Sequence, residues 1–105
     1  MLLLSAAEVD QRIKNNESLT IIDIREPYEL DVCSIGCRNI PMANIVNHTD
    51  ELINLENLVL MCRSGKRAES VANWLESDFH FSNVIIIEGG ITQWKEQVDP
   101  SIILE

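Results

Sequence analysis

Three short apolar runs divide the chain, at Leu19–Ile24, Leu58–Cys62 and Val84–Ile87. Two of them are nearly continuous Val, Ile, Leu and Met, without the alternation of a half-exposed strand. Uninterrupted runs of this kind are typical of strands that are buried on both faces of a parallel sheet. The pattern therefore predicts a buried parallel sheet.

Helical patterns separate the apolar runs. The clearest extends from about residue 66 to 77, where apolar residues recur at i, i+3, i+4 and i+7, at Ala68, Val71, Ala72 and Leu75. A helix from about Ser5 to Lys14 begins with a capping box, in which Glu8 follows Ser5 by three positions. Another helix is predicted to begin near Gly90, and a weaker one around residues 44–52. Strands that alternate with helices predict an α/β fold with helices on both faces of the sheet.

Charge and length narrow the function. The 105 residues include 17 acidic and 8 basic side chains, for a formal net charge of −9. That length predicts one domain over residues 1–105. The acidic excess disfavours nucleic-acid and anionic-membrane partners. The apolar stretch Met1–Leu4 is too short for a signal peptide, and no run in the chain has the length of a membrane span.

The cysteine count indicates the compartment. Three cysteines, Cys33, Cys37 and Cys62, fit a reducing cytoplasm better than a disulfide framework. The two histidines, His48 and His80, are far from them in sequence, so no metal site is expected.

Cys62 combines several features that favour a reactive thiolate. It ends a buried strand, and a short polar loop and a helix follow at once. Gly65 lets the loop curl so that N–H groups of the loop and of the new helix converge on one point. Three of the eight basic residues, Arg63, Lys66 and Arg67, follow within five positions. The sequence therefore predicts that Cys62 is a nucleophile rather than a small core residue.

Motifs in a fixed order extend over most of the chain. They lie at Ile21–Glu29, Asn39–Pro41, Cys62–Arg67, Asn83–Val84 and Gly89–Trp94. In these segments the sequence resembles the rhodanese-homology, or sulfurtransferase, domain family. The resemblance implies a single-domain rhodanese-like α/β fold, with a central, mostly parallel five-stranded sheet and helices on both faces.

Two features distinguish the chain within this resemblance. Cys33-Ser34-Ile35 stands where the family usually has Gly-His-Ile, and Gly36-Cys37 where it has Gly-Ala, so no histidine-assisted step is expected. The stretch Trp94–Ser101 resembles the tail of rhodanese domains fused behind E1-like adenylyltransferases. On that resemblance residues 1–105 are one domain of a longer protein, with a sulfur-carrier protein and an E1-like adenylyltransferase as partners.

The family resemblance also implies a reaction. Cys62 would take sulfane sulfur from a small anionic donor such as thiosulfate, or from a persulfidated protein. It would pass that sulfur to a nucleophilic or protein acceptor, as in carrier thiocarboxylation for molybdopterin, thiamin or tRNA thiolation. Arg63, Ser64, Gly65, Lys66 and Arg67 would bind the donor. Asp23 and Arg25 are expected to form a supporting ion pair, and no cofactor is required.

Other readings of the same residues stay open. One is a non-catalytic rhodanese module that only binds a partner, although such modules usually lose the cysteine that is kept here. A less favoured one is a cysteine phosphatase or arsenate reductase, whose loops place five residues between cysteine and arginine, where this chain has four between Cys62 and Arg67. Cys33 and Cys37 are expected to be passive, with resolution of the persulfide as the alternative.

Overall fold

Five parallel strands form one sheet in residues 1–104, the part of the chain that the computed structural model describes. The strands are β1 (Leu2–Leu4), β2 (Thr20–Asp23), β3 (Arg38–Asn39), β4 (Leu58–Met61) and β5 (Ile85–Ile87). Their order in the sheet is β1-β5-β4-β2-β3, and every neighbouring pair is parallel. The predicted parallel sheet is confirmed.

Five α-helices surround the sheet. They are α1 (Ala6–Lys14), α2 (Pro27–Val32), α3 (Thr49–Leu52), α4 (Lys66–Asp78) and α5 (Gly90–Gln97), and a 3₁₀ segment at Met42–His48 precedes α3. Side chains alternate along each strand. Leu58 and Leu60 of β4 therefore join one core cluster with α3 and α4, while Val59 and Met61 join a second cluster with α1 and α5. Both faces of the sheet are covered, as the apolar runs predict.

The helix starts agree with the sequence pattern. Ser5 caps α1, since its Oγ accepts a hydrogen bond of 3.1 Å from the N–H of Glu8. The segment predicted as a weak helix around residues 44–52 is divided between the 3₁₀ segment and α3. No helix within residues 1–104 is long and apolar enough to cross a membrane.

Candidate active site

Cys62 lies directly after β4, at the edge of the sheet where the carboxyl ends of the strands meet. Its side chain is buried, and its Sγ accepts N–H hydrogen bonds from Gly65 at 3.1 Å and from Ala68 at 3.4 Å. Gly65 has a φ of +101°, a left-handed conformation that turns the loop back toward the sulfur. Both donors come from the backbone, so loop shape rather than side-chain chemistry sets the polar surroundings of Cys62.

The loop also holds unused donors. Among residues 1–104, the backbone N–H groups of Ser64, Lys66 and Arg67 have no hydrogen-bond acceptor. Two of these groups belong to the first turn of α4, whose N-terminus carries the positive end of the helix dipole. Convergent free N–H groups at a helix N-terminus form an anion-binding site. The geometry is suited to a sulfur anion that extends from Cys62.

Helix α5 holds the other side of the loop. The N–H of Ile91 donates to the carbonyl of Cys62 at 2.9 Å, and Thr92 donates to the carbonyl of Arg63 from its N–H at 3.3 Å and its Oγ1 at 3.0 Å. Gly90 makes this approach feasible, because a Cβ there would lie 2.2 Å from the Cys62 oxygen. No sequence pattern predicts the roles of Ile91 and Thr92, although the consecutive glycines at 89 and 90 mark the place.

The basic residues of the loop divide into two groups. Arg63 and Lys66 are exposed and have no carboxylate partner among residues 1–104. Arg67 instead forms a bidentate ion pair with Glu29 of α2, at 2.7 and 2.9 Å. This hydrogen bonding lowers the pKa of the Glu29 carboxyl and raises the pKa of Arg67. Arg63 and Lys66 are thus the loop cations available to a bound anion, whereas the charge of Arg67 is already compensated.

Replacing Glu29 with glutamine is expected to destabilise the protein by about 1 kcal/mol, because Arg67 then loses its charged partner. The loss is modest because the Arg67 side chain is partly exposed to water, which screens its charge. The pKa of Glu29 lies below its ordinary value of 4.5 in the folded state. Its contribution is therefore present above that ordinary value and is lost as the pH falls through the lower folded value. Urea denaturation at pH 7 and at pH 3 measures the free energy of unfolding of both proteins. The difference between wild type and variant in that free energy should be smaller at pH 3 than at pH 7.

Glu8→Gln is the matched control for this prediction. Glu8 pairs with Arg12 at 3.1 Å within α1, and half of its side chain is exposed. The control variant should lose less stability than Glu29→Gln at pH 7. Equal losses in the two variants would show that the Glu29–Arg67 pair adds nothing beyond an ordinary surface pair.

Asp23 and Arg25 form a buried ion pair beside the loop. Asp23 is fully buried and Arg25 is 2% exposed, and Arg25 Nη2 lies 2.8 Å from Asp23 Oδ2. Burial lowers the pKa of Arg25, but the hydrogen bonds and charge of Asp23, with a contribution from Cys33, raise it overall. The Asn39 side chain donates to the carbonyls of Asp23 at 2.7 Å and Arg25 at 3.0 Å. These contacts tie β2, β3 and the segment that leads into α2 together at the edge that holds Cys62.

The two other cysteines differ in their surroundings. Cys33 Sγ lies 4.0 Å from Arg25 Nη1, and the Cys33 carbonyl accepts a hydrogen bond from Nη2 at 3.0 Å. Burial, together with the charge of Asp23, raises the pKa of Cys37 to about 11, so Cys37 stays a thiol at neutral pH. Within residues 1–104, no three His, Cys, Asp or Glu side chains cluster as a metal site would require.

Comparison with known proteins identifies relatives along nearly the whole chain. A family model described as "Rhodanese-like domain" matches residues 5–97. "Putative sulfurtransferase YtwF" of Bacillus subtilis is 32% identical over 99 residues, which cover 92% of this chain and 93% of that protein. "Probable adenylyltransferase/sulfurtransferase MoeZ" of Mycobacterium tuberculosis is 28% identical over 101 residues, 92% of this chain but 25% of that protein.

A solved structure matches the fold from end to end. It is a rhodanese-related protein of Thermoplasma volcanium, with a TM-score of 0.79, 29% identity and 100% coverage of both chains. Several curated relatives are much longer, since the chain spans 29%, 45% and 25% of three of them. This chain is thus similar to only one part of each of these longer proteins.

Proposed function

The chain belongs to the rhodanese-like domain family, and from that membership we propose that it is a sulfurtransferase that carries sulfane sulfur on Cys62 as a persulfide. Two relatives that are 32% and 31% identical carry the names "Putative sulfurtransferase YtwF" and "Putative sulfur carrier protein YrkF". The observation that carries the proposal is that Cys62 Sγ accepts hydrogen bonds from the N–H groups of Gly65 and Ala68, while other N–H groups of the same loop have no acceptor among residues 1–104. That arrangement supports both a thiolate and the longer persulfide anion.

Loading of Cys62 is a displacement at sulfur. With thiosulfate as the donor, the Cys62 thiolate attacks the outer sulfur, the sulfur–sulfur bond of the donor breaks, and sulfite leaves with the electron pair. The product is a Cys62 persulfide anion, and the total charge is unchanged. Arg63 and Lys66 attract the anionic donor, and the free N–H groups of the loop hold the negative charge that remains on the new outer sulfur.

Discharge repeats the displacement in the other direction. A nucleophilic acceptor attacks the outer sulfur of the persulfide, and Cys62 leaves as a thiolate, again held by Gly65 and Ala68. The match to one part of an adenylyltransferase/sulfurtransferase supports a sulfur-carrier protein and an E1-like adenylyltransferase as partners. A persulfidated protein is also a suitable donor under this scheme, since it supplies the same outer sulfur to the N–H groups of the loop.

Intact-protein mass spectrometry tests the proposal. After incubation with thiosulfate the wild-type protein should gain about 32 Da, one sulfur atom, and the peptide containing Cys62 should carry it. The Cys62→Ser variant should show no gain, while Cys37→Ser should load like wild type. An unmodified wild-type mass with both thiosulfate and a persulfide donor would contradict the proposal and favour the partner-binding module. Hydrolysis of an aryl phosphate by the same preparation would instead favour the phosphatase.

A further inference from the structure

The first turn of α5 donates its hydrogen bonds to the Cys62 loop. The N–H of Ile91 donates to the Cys62 carbonyl at 2.9 Å, and the N–H of Thr92 donates to the Arg63 carbonyl at 3.3 Å. Both groups are among the first four N–H groups of the helix, which have no acceptor within it. Helix α5 therefore fixes the direction of two consecutive carbonyl groups of the loop.

The Thr92 hydroxyl makes the shorter of the two contacts with the Arg63 carbonyl. Thr92 Oγ1 lies 3.0 Å from the Arg63 oxygen, whereas the N–H contact of 3.3 Å exceeds the usual range of about 2.7–3.2 Å. Threonine hydroxyls in helices commonly bond back to a carbonyl of the preceding turn. This hydroxyl instead bonds to a residue 29 positions away. The Arg63 carbonyl is thus held mainly by a side chain.

The Arg63 carbonyl belongs to the same peptide group as the N–H of Ser64. A trans peptide group is planar, and its C=O and N–H point in opposite directions. Because the oxygen points to Thr92, the Ser64 N–H points away from α5. This N–H has no acceptor within the described part of the chain, so it is free to donate to a bound anion.

The thiolate and the persulfide make different demands on the loop. Cys62 Sγ already accepts hydrogen bonds from the N–H groups of Gly65 and Ala68. A persulfide adds an outer sulfur, which carries the negative charge and needs donors of its own. If the Arg63–Ser64 peptide group turned over, its carbonyl oxygen would replace the N–H and would repel that charge. A contact that orients this peptide group therefore acts on the loaded protein more than on the free one.

We propose that Thr92 is a positioning residue for the persulfide, whose hydroxyl holds the Arg63–Ser64 peptide group so that the Ser64 N–H donates to the outer sulfur on Cys62. The inference rests on the proposed function and adds a residue of α5 that lies outside the loop. Thr92 does not touch the transferred sulfur and moves no proton. It stabilises the loaded form because the donor is oriented before the sulfur arrives.

The equilibrium of loading measures this effect. The protein is mixed with thiosulfate and sulfite at a series of fixed ratios, and the fraction that has gained about 32 Da is determined by intact-protein mass spectrometry. Thiolate and thiosulfate give persulfide and sulfite, so this fraction yields the loading constant. Thr92→Val keeps the shape of the side chain and removes the hydroxyl. It should lower the loading constant about fivefold, the effect of one hydrogen bond at an exposed position.

A second measurement separates positioning from general support of the loop. The pH dependence of Cys62 alkylation by iodoacetamide reports the thiolate, which the N–H groups of Gly65 and Ala68 already hold. Residues 39–63 form a tryptic peptide in which Cys62 is the only cysteine, so the alkylation is assigned there. The midpoint of this profile should be the same in wild type and Thr92→Val. A residue that merely supported the loop would change both measurements.

Two further variants serve as matched controls. Thr92→Ser keeps a hydroxyl at this position and should retain most of the wild-type loading constant. Thr49→Val removes a hydroxyl that also donates to a backbone carbonyl, that of Val46 at 3.5 Å, but at the start of α3 and outside the loop. It should leave the loading constant at the wild-type value.

The outcomes separate this inference from the proposed function. Wild-type protein that never loads would overturn the proposed function itself. Normal loading of wild type with an unchanged constant in Thr92→Val would overturn the role of Thr92 alone. That role is also overturned if the alkylation midpoint moves together with the loading constant, if Thr92→Ser loads as poorly as Thr92→Val, or if Thr49→Val loses as much.

Discussion

Replacing Gly90 with alanine is expected to destabilise the protein by about 3 kcal/mol and to prevent sulfur loading on Cys62. The added Cβ would lie 2.2 Å from the Cys62 carbonyl oxygen and 2.6 Å from the Arg63 oxygen. Both neighbours are backbone atoms, so no side chain can rotate away. Relief of the clash must move α5 from the loop, which removes the 2.9 Å hydrogen bond from Ile91 to Cys62.

Gly36→Ala is the control for this variant. Gly36 has a φ of +84° but no atom within 4 Å of an added Cβ, whereas Gly90 has a φ of +58° and is crowded. The free energy of unfolding of the control should therefore fall by only about 1 kcal/mol, the cost of placing alanine in the left-handed conformation. Urea denaturation and the thiosulfate mass assay measure both variants. Equal losses of stability, or normal loading in Gly90→Ala, would show that the loop does not depend on close contact with α5.

Replacing Asp23 with asparagine is expected to cost about 3–5 kcal/mol, because it leaves the buried charge of Arg25 uncompensated. The shape of the side chain is kept, so packing changes little. Asp23 oxygens accept hydrogen bonds from the Arg25 side chain at 2.8, 3.0 and 3.2 Å, and from the Arg25 backbone N–H at 3.0 Å. The asparagine retains one acceptor oxygen and no charge.

Two further variants test the cause of that loss. Glu51→Gln breaks a pair of the same kind on the surface, where Glu51 meets Arg38 at 2.7 Å with both side chains about half exposed. It should cost a small fraction of the Asp23→Asn loss in urea denaturation. Adding Arg25→Met to Asp23→Asn should recover part of the stability, since the buried charge is then gone. A double variant no more stable than Asp23→Asn would attribute the loss to other contacts of Asp23.

Local signals explain which strands the sequence predicts. β4 and β5 lie within uninterrupted apolar runs, and the pattern alone finds them. β3 consists of two polar residues, which no apolar pattern marks, and the pattern did not predict β1, although β1 is apolar and as long as β5. They are strands because β5 and β2 offer them backbone partners, as when the N–H of Leu2 donates to the carbonyl of Val84. The count of five strands was an expectation from family resemblance and not from the pattern.

The candidate site likewise has a part that the sequence predicts and a part that depends on contacts between distant residues. The Cys62 loop is continuous in sequence, so its glycine, basic residues and following helix all indicate an anion site. Glu29 lies 38 residues from Arg67, and Thr92 lies 29 residues from Arg63. Contacts over such separations leave no local pattern. The sequence predicts Arg67 as a donor-binding cation, which stays a prediction, but it gives no sign of the ion pair with Glu29 that the folded chain adds.

The donors around Cys62 Sγ are main-chain groups, whereas Arg63, Ser64 and Lys66 point their side chains toward solvent. Under the proposed function, the main chain of the loop holds the transferred sulfur, and these side chains meet the partner. Substitution at those three positions leaves every amide donor of the loop in place. Under the proposed function, these three positions can therefore be varied to change the partner that is recognised without changing the backbone groups that hold the sulfur.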